Sequence, residues 1–531
     1  MKTLRSNAEV IKFLEDLLPE QWRIAIPLGL GKPNRLINDI YEYAKKQKNI
    51  DLTFFTALSL DTPDPQSDLE SRFVIPFYQK HFGQNYPRLE YLKDLSKNEV
   101  PLNVHLHEFY FQAGAFLHNP YAQQNYISLN YTHVAQNIFN RGINAIVQLI
   151  AQAPDGKSFS LSCNPDITLD LAALYQKHNK PLLMIGVVHK DLPFMGGDAV
   201  VSPDFFDAVV ETPEDHQLFA LPRGPVSACE YLIGLYASRL LKDDGTLQIG
   251  IGSLSDALTY AAILRHQDNG AYRKILASLD EIFRGQSFLD NEDDVFEKGL
   301  YGTSEMLMDG FMHLRKAGVL KRHIFDRDEK VRRYLHGAFF LGSKSFYHWL
   351  RDLNGEDFEG LSMTKVSKVN DLYDEHELAI RRQRKNARFF NSCMQMSLLG
   401  EASSDTRADG GVVSGVGGQY NFVAMSHELP DARSILMLKS TRMVKGKRVS
   451  NIVWSPPHLT IPRHLRDIVV TEYGIADLRG QSDEICIQRV LMITDAEFQE
   501  ELLQTAKSNK KVSKDWQLPD SAKNNTAVNV N

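Results

Sequence analysis

Glu305 lies in the run Gly299-Leu300-Tyr301-Gly302-Thr303-Ser304-Glu305-Met306-Leu307-Met308-Asp309-Gly310. A carboxylate held in such a glycine-flanked turn has the means to act as a nucleophile. Leu307, Phe311, Leu314 and Ala317 then recur at three to four residues and Gly318 closes the pattern. That spacing predicts a helix of about four turns with Glu305 in its first turn. The same residues allow a structural role, with Thr303 or Ser304 as cap and Glu305 complementing the helix dipole by ~0.3–1 kcal/mol.

Three glycine turns accompany it: Gly29-Leu30-Gly31-Lys32-Pro33, Gly250-Ile251-Gly252-Ser253 and Gly415-Val416-Gly417-Gly418-Gln419. Without a Cβ the backbone approaches a ligand closely, leaving N–H groups free for a phosphate or a developing oxyanion. No turn matches a dinucleotide fingerprint, since Ser255 stands where the third glycine after Gly250 and Gly252 belongs, and there is no Walker sequence. A Gly-x-Ser-x-Gly elbow is also missing.

His105 and His107 alternate beside Glu108, so a strand would turn both imidazoles to one face as metal ligands. No third ligand is identifiable, and no metal is expected. The basic stretch Lys439 to Arg448, followed by Arg463, His464 and Arg466, has the charge to grip phosphates or to be a solvated loop.

These residues must be positioned by a chain of 531 residues. That exceeds the ~250–300 beyond which one core stops growing, so two domains are expected. Short β-rich runs alternate with helical patterns: Arg23 to Leu28, then a helix over Asn34 to Lys46, then Leu52 to Leu58, Ile143 to Ala151 and Pro181 to Val188. The alternation predicts an α/β fold with a mainly parallel sheet. Leu221-Pro222-Arg223-Gly224-Pro225 interrupts it, a helix is expected from Val226 to Leu241, and a second α/β unit from Gly245. The division is therefore 1–222, 226–504, and a polar tail from 505 to 531 expected to be poorly ordered. Asp290 to Glu297 and Asp352 to Lys385 read as charged surface insertions.

The composition is 43% hydrophobic and 24% charged, and 60 basic against 66 acidic residues leave a net charge of -6. Those values are ordinary for a globular protein and argue against a nucleic-acid surface. Cys163, Cys229, Cys393 and Cys486 form no C-x-x-C pattern, which fits a reducing compartment and inert core thiols. The first ten residues give no signal h-region, and the most apolar stretch, near Ile143 to Ala153, is short of the ~20 residues of a membrane helix. The expectation is a cytoplasmic protein with no membrane association.

Together the motifs resemble the acetyl-CoA hydrolase/transferase family, a branch of the class I CoA-transferases. The resemblance rests on Ile26 to Pro33, Thr246 to Gly252, Ser304-Glu305-Met306 and Val413 to Gln419. Its most specific piece is Val470-Thr471-Glu472-Tyr473-Gly474-Ile475-Ala476-Asp477-Leu478-Arg479-Gly480. It implies two α/β domains with the active site between them and Glu305 as nucleophile on an acyl-CoA. An acyl-glutamyl anhydride would form first and then an enzyme-bound CoA thioester, intermediates a carboxylate supplies because its acyl derivatives are themselves activated. It also implies oxyanion or acyl contacts from Gly252, Ser253, Gly418 and Gln419, and CoA contacts from Gly250, Gly417, Lys445 and Lys447.

On that reading the partners are acyl-CoA and small carboxylates, with no cofactor beyond coenzyme A as substrate, and a homodimer as the commonest assembly. The chain departs from many relatives at Thr303-Ser304, at Ser255, and at Gln419-Tyr420-Asn421-Phe422, where Asn421 replaces an aspartate. Transfer of CoA to a carboxylate is the leading expectation. Acyl-CoA hydrolysis through the same intermediate, or a non-catalytic acyl-CoA sensor, are the alternatives.

Overall fold

The computed structural model describes residues 1–18, 20–62, 64–65, 67–283, 291–326, 331–371 and 376–527. In the first half, a parallel sheet runs in the order Lys2–Leu4, Ala208–Glu214, Leu183–His189, Ala145–Gln152, Gln21–Ala25, Asp51–Thr56 and Val104–Glu108. The strand Ala145–Gln152 is buried at every position but its last, as a central strand covered on both faces must be. The helix Asn34–Lys46 keeps its expected bounds because Leu36, Ile37, Ile40, Tyr41 and Ala44 fall on one buried stripe.

The second half builds another sheet in the order Leu361–Met363, Leu335–Phe340, Tyr301–Leu307, Thr246–Ile249, Arg388–Ser392, Arg433–Met437, Ile468–Thr471 and Gly474–Asp477. Its strands are parallel except the last, which returns antiparallel. The helix Ala228–Ser238 enters through a capping box between Ser227 and Glu230. One apolar core is continuous from the first sheet into the second, and a smaller one, with Leu438, Ile487 and Leu503, lies under the C-terminal helices.

Glu305 does not start a helix. It sits in the strand Tyr301–Leu307, and the helix that follows is Asp309–Lys316, about two turns. Pairing with the neighbouring strands claims the backbone from Tyr301 onward, so the helical spacing of apolar residues applies only after Met308. The dipole argument for an ionised Glu305 lapses with it.

The segment Asp352 to Lys385 is not surface decoration either. It supplies the edge strand Leu361–Met363 and a π-helical turn, Ser367–Asp371, whose Ser367, Lys368, Val369 and Asn370 are buried. Its residues 372–375 lie outside the described part, as does Asp290 of the acidic stretch.

From Thr505 the chain is not loose, at least as far as residue 527. Val512 and Ala522 are buried, and the Asn525 amide donates to the carbonyls of Met492 and Thr494 at 2.8 and 2.9 Å. Polar composition misled here because a buried amide can satisfy backbone acceptors as well as water does. Val528 and Val530 are outside the described residues. Among the described residues no helix is long and apolar enough to cross a membrane. All four cysteines are free, and burial pushes the Cys393 thiol up to about 12.

Candidate active site

Glu305 stands near the C-terminal end of its strand, where parallel α/β sheets collect their ligands. Its carboxylate has two donors. Asn370 Nδ2 donates to Oε2 at 2.9 Å, and the Gly418 N–H donates to Oε1 at a long 3.4 Å. One side of Glu305 faces a cavity of about 250 Å³ while protein surrounds the rest. Burial raises its pKa above the ordinary value, and the Asn370 and Gly418 hydrogen bonds pull it back in part.

Gly418 has to be glycine. A Cβ there would stand 1.9 Å from Glu305 Oε2 and 2.1 Å from Asn370 Nδ2. The loop that carries it is clamped by the first half of the chain: Tyr131 N–H donates to Gly417 O at 3.0 Å and Phe111 N–H to Ser414 O at 3.0 Å. A Cβ on Gly415 would meet Phe109 O at 2.7 Å. The glycines let one backbone pass between the aromatic wall and the carboxylate. Burial, and then the Glu305 charge, push the Tyr110 phenol up to about 12.

Both halves line the cavity, Leu28, Leu58, Phe109 and Tyr131 from one and Glu305 and Gln419 from the other. It shares Ile251 and Ser392 with a larger open groove of about 1170 Å³ that lies next to it. The groove is lined by the N-terminus of the helix Ser253–Gln267 and by Arg407, Lys439, Arg442 and Lys445. Gly252 turns the chain into that helix at φ 102°, a conformation open to glycine. The basic stretch is a hairpin of Thr441–Val444 and Lys447–Ser450 with Lys445 and Gly446 at positive φ in its turn.

The residues singled out from sequence are thus divided. Glu305, Gly250, Gly417 and Gln419 line the cavity and Gly418 touches Glu305, the Gln419 side-chain amide donating to Ser392 O at 3.2 Å. Gly252, Ser253 and Lys445 line the groove instead, and Ser253 Oγ donates to Glu230. Lys447, on the return strand, lines neither. Asn421 lies off the cavity, bonding Asp371 and accepting from Asn130 at 2.9 Å, so it ties the halves together rather than altering the charge beside Glu305.

His105 pairs with Asp51 at 3.0 Å, and His107 stacks on Phe55 and meets Asn125 O at 3.3 Å. Among the described residues no three His, Cys, Asp or Glu side chains converge as metal ligands.

Asn370 was missed from sequence, hidden in a charged stretch with weak periodicity. The signal was its neighbour Lys368, a cation between apolar Val366 and Val369. Lys368 is buried and bonds Asp326 Oδ1 at 2.7 Å, while His336 Nε2 lies 3.2 Å from Asp326 Oδ2 and its Nδ1 2.8 Å from the Tyr301 hydroxyl. Burial would raise the Asp326 carboxyl, but the His336 and Lys368 contacts hold it well below the usual carboxylate range.

Comparison with known proteins agrees with this architecture. Residues 342–506 match the acetyl-CoA hydrolase/transferase C-terminal domain. The 4-hydroxybutyrate coenzyme A transferase of Clostridium kluyveri is 28% identical over 330 residues, 60% of this chain and 64% of the relative, so the chain aligns with just under two thirds of that protein. The succinyl-CoA:cyclohexane-1-carboxylate CoA transferase of Geobacter metallireducens is 24% identical over 343 residues, 64% of this chain and 67% of that one.

Among solved structures, RipA from Yersinia pestis superposes with a TM-score of 0.65 at 19% identity, covering 96% of this chain and 98% of its own. The 4-hydroxybutyrate CoA-transferase from Porphyromonas gingivalis gives 0.62 at 19% with the same coverage. The sequence match is thus to that family's C-terminal domain over residues 342–506, and the solved structures share the fold of the chain.

Proposed function

We propose that this protein is a CoA-transferase that moves CoA from an acyl-CoA to a carboxylate through a thioester on Glu305. The observation that carries the reading is the setting of Glu305: a carboxylate between two donors, facing a cavity that adjoins a basic groove. The names of the relatives, each a CoA-transferase, point the same way.

In the first step a Glu305 oxygen attacks the thioester carbonyl, the C–S bond breaks, and an acyl-glutamyl anhydride and CoA thiolate result. The thiolate then attacks the Glu305 carbonyl carbon. The bond between that carbon and the bridging oxygen breaks and the donor's carboxylate leaves with the oxygen, so that CoA is now bound to Glu305. A second carboxylate runs the two steps backwards.

Because one attack falls on Glu305 itself, the charge of that tetrahedral intermediate develops on its own oxygen. Asn370 and the Gly418 N–H are placed to receive it, a contribution of ~2.7–4 kcal/mol for a good oxyanion donor. Burial keeps the ionised carboxylate poorly solvated and so reactive, and the two donors keep it ionisable.

In the groove, Arg407, Lys439 and Lys445 and the helix N-terminus at Ser253 offer positive ends to CoA phosphates. The apolar cavity walls favour a carboxylate acceptor over water.

The test is mass spectrometry of the Glu305 peptide after incubation with acyl-CoA and borohydride, which reduces a glutamyl thioester to an alcohol. That mass change, with CoA release accelerated by an added carboxylate, is the expected result. The mass change without acceleration would indicate hydrolysis. Binding with neither would sink covalent catalysis and leave a sensor.

A further inference from the structure

The cavity beside Glu305 has a polar side and an apolar side, and the strand register shows how they are arranged. Thr246 and Leu247 pair with Tyr301 and Gly302, and Leu247, Gln248 and Ile249 with Arg388, Phe389 and Phe390. Extended by a few residues, these registers bring Gly250 between Glu305 and Asn391, all at one level of the sheet. Two strand spacings separate the two side chains by ~10 Å. Gly250, with no side chain, leaves the space above it open.

On the Asn391 side, toward the groove, Asn391 Nδ2 and Ser404 Oγ are buried and lack a hydrogen-bond partner among the described residues. A buried polar atom without a partner calls for one, and at the cavity a ligand's polar group can supply it. The thioester end of a molecule entering past Ser392 supplies one.

The other side is apolar. Tyr131 packs on Phe109 with ring centres 5.9 Å apart and on Phe339 at 6.1 Å, and Leu28 and Leu58 complete the wall. Glu305 is the one charged residue among the described residues lining the cavity. Behind the wall, buried Lys32 donates to the carbonyls of Ala57 at 2.6 Å and Leu58 at 3.4 Å, so its amine is engaged with the backbone and not with the cavity. A second carboxylate on the substrate would therefore be buried with no cation opposite it and with Glu305 repelling it.

A dry apolar cavity of ~150 Å³ is enough to hold benzene. The 250 Å³ found here accommodates such a group together with the reacting carboxyl.

We propose that the acyl groups handled at this site are neutral and apolar, of about four to seven carbons as a chain or ring, and that dicarboxylic acyl groups are rejected. This rests on the CoA-transfer reading above.

The wild-type protein is assayed with acetyl-, butyryl-, hexanoyl-, benzoyl- and succinyl-CoA, following both transfer to an added carboxylate and the label on Glu305. Hexanoyl- or benzoyl-CoA should exceed acetyl-CoA in kcat/KM by about tenfold or more, since each methylene in an apolar pocket discriminates by ~10-fold or more. Succinyl-CoA, with the carbon count of butyryl-CoA, should fall about 100-fold below it because its charge stays unpaired. Val416→Phe, which narrows the cavity, should lower the hexanoyl-to-acetyl ratio by about tenfold.

Succinyl-CoA used as well as butyryl-CoA, a preference for acetyl-CoA, or a ratio unmoved by Val416→Phe would each overturn the inference while the Glu305 label kept the transfer reading. No label and no transfer from any of the five would overturn both.

Discussion

Lys368 Nζ lies 2.7 Å from Asp326 Oδ1 with both side chains buried, two residues before Asn370 in the π-helical turn that places its amide against Glu305. The ion pair thus fixes the turn, and the turn fixes a Glu305 donor. Removing one partner of a buried pair strands the other charge, at ~3–5 kcal/mol. Lys368→Met should lower the melting temperature clearly and slow the labelling of Glu305 by acyl-CoA. Unchanged stability with unchanged labelling would separate the pair from the site.

Asn370→Leu removes the stronger of the two hydrogen bonds that offset burial at Glu305. The Glu305 pKa, already raised, then rises further, since the ionised form loses its donor. In the proposed mechanism the ionised form attacks, so the acid limb of the pH–rate profile should move to higher pH and the maximal rate should fall by ~100-fold, as for loss of one oxyanion donor. A limb that stays in place would assign Asn370 a packing role.

Glu305→Gln should abolish transfer and make the protein more stable. A folded-state pKa raised above the ordinary value means the native state binds its proton more tightly than the unfolded chain. Stability from that proton is complete below the ordinary carboxylate pKa and is lost as pH rises through the raised one. The melting temperature of Glu305→Gln should therefore exceed wild type at pH 8, with the gap closing as pH falls toward 4.5, the ordinary value. Thermal melts across that range are the check.

Gly418→Ala puts a Cβ inside the contact distance of both Glu305 and Asn370. A displacement of ~1 Å at a reacting group costs about 100-fold in rate, so a loss of that size or more is expected with the fold retained. Single-turnover labelling of Glu305, with circular dichroism as control, measures both.

Lys445 lines the groove and Lys447 does not. Lys445→Ala should raise KM for acyl-CoA by roughly fivefold, the ~1 kcal/mol of an exposed charge pair, with kcat little changed. Lys447→Ala should leave both constants near wild type. Equal effects would point to a diffuse field rather than a contact.

The α/β class was legible in the amino-acid sequence, because runs such as Ala145–Gln152 and the helix Asn34–Lys46 are written in local apolar periodicity. Legible there too were Gly250, Gly417 and Gly418, which the structure brings to the cavity or against Glu305. The sequence misread the local structure of Glu305, since a three-to-four residue spacing cannot reveal that two neighbouring strands capture the backbone first.

The partners of that carboxylate came from the three-dimensional fold. Asn370 lies 65 residues away and Gly418 113, and no local signal links them. The fold decided as well that Lys445 and Ser253 belong to the groove while Gln419 belongs to the cavity, and that a cavity wall comes from Leu28, Leu58 and Phe109 in the other half of the chain. Those assignments depend on which sheet edges and loop ends meet in space, a long-range packing result that composition and spacing do not carry.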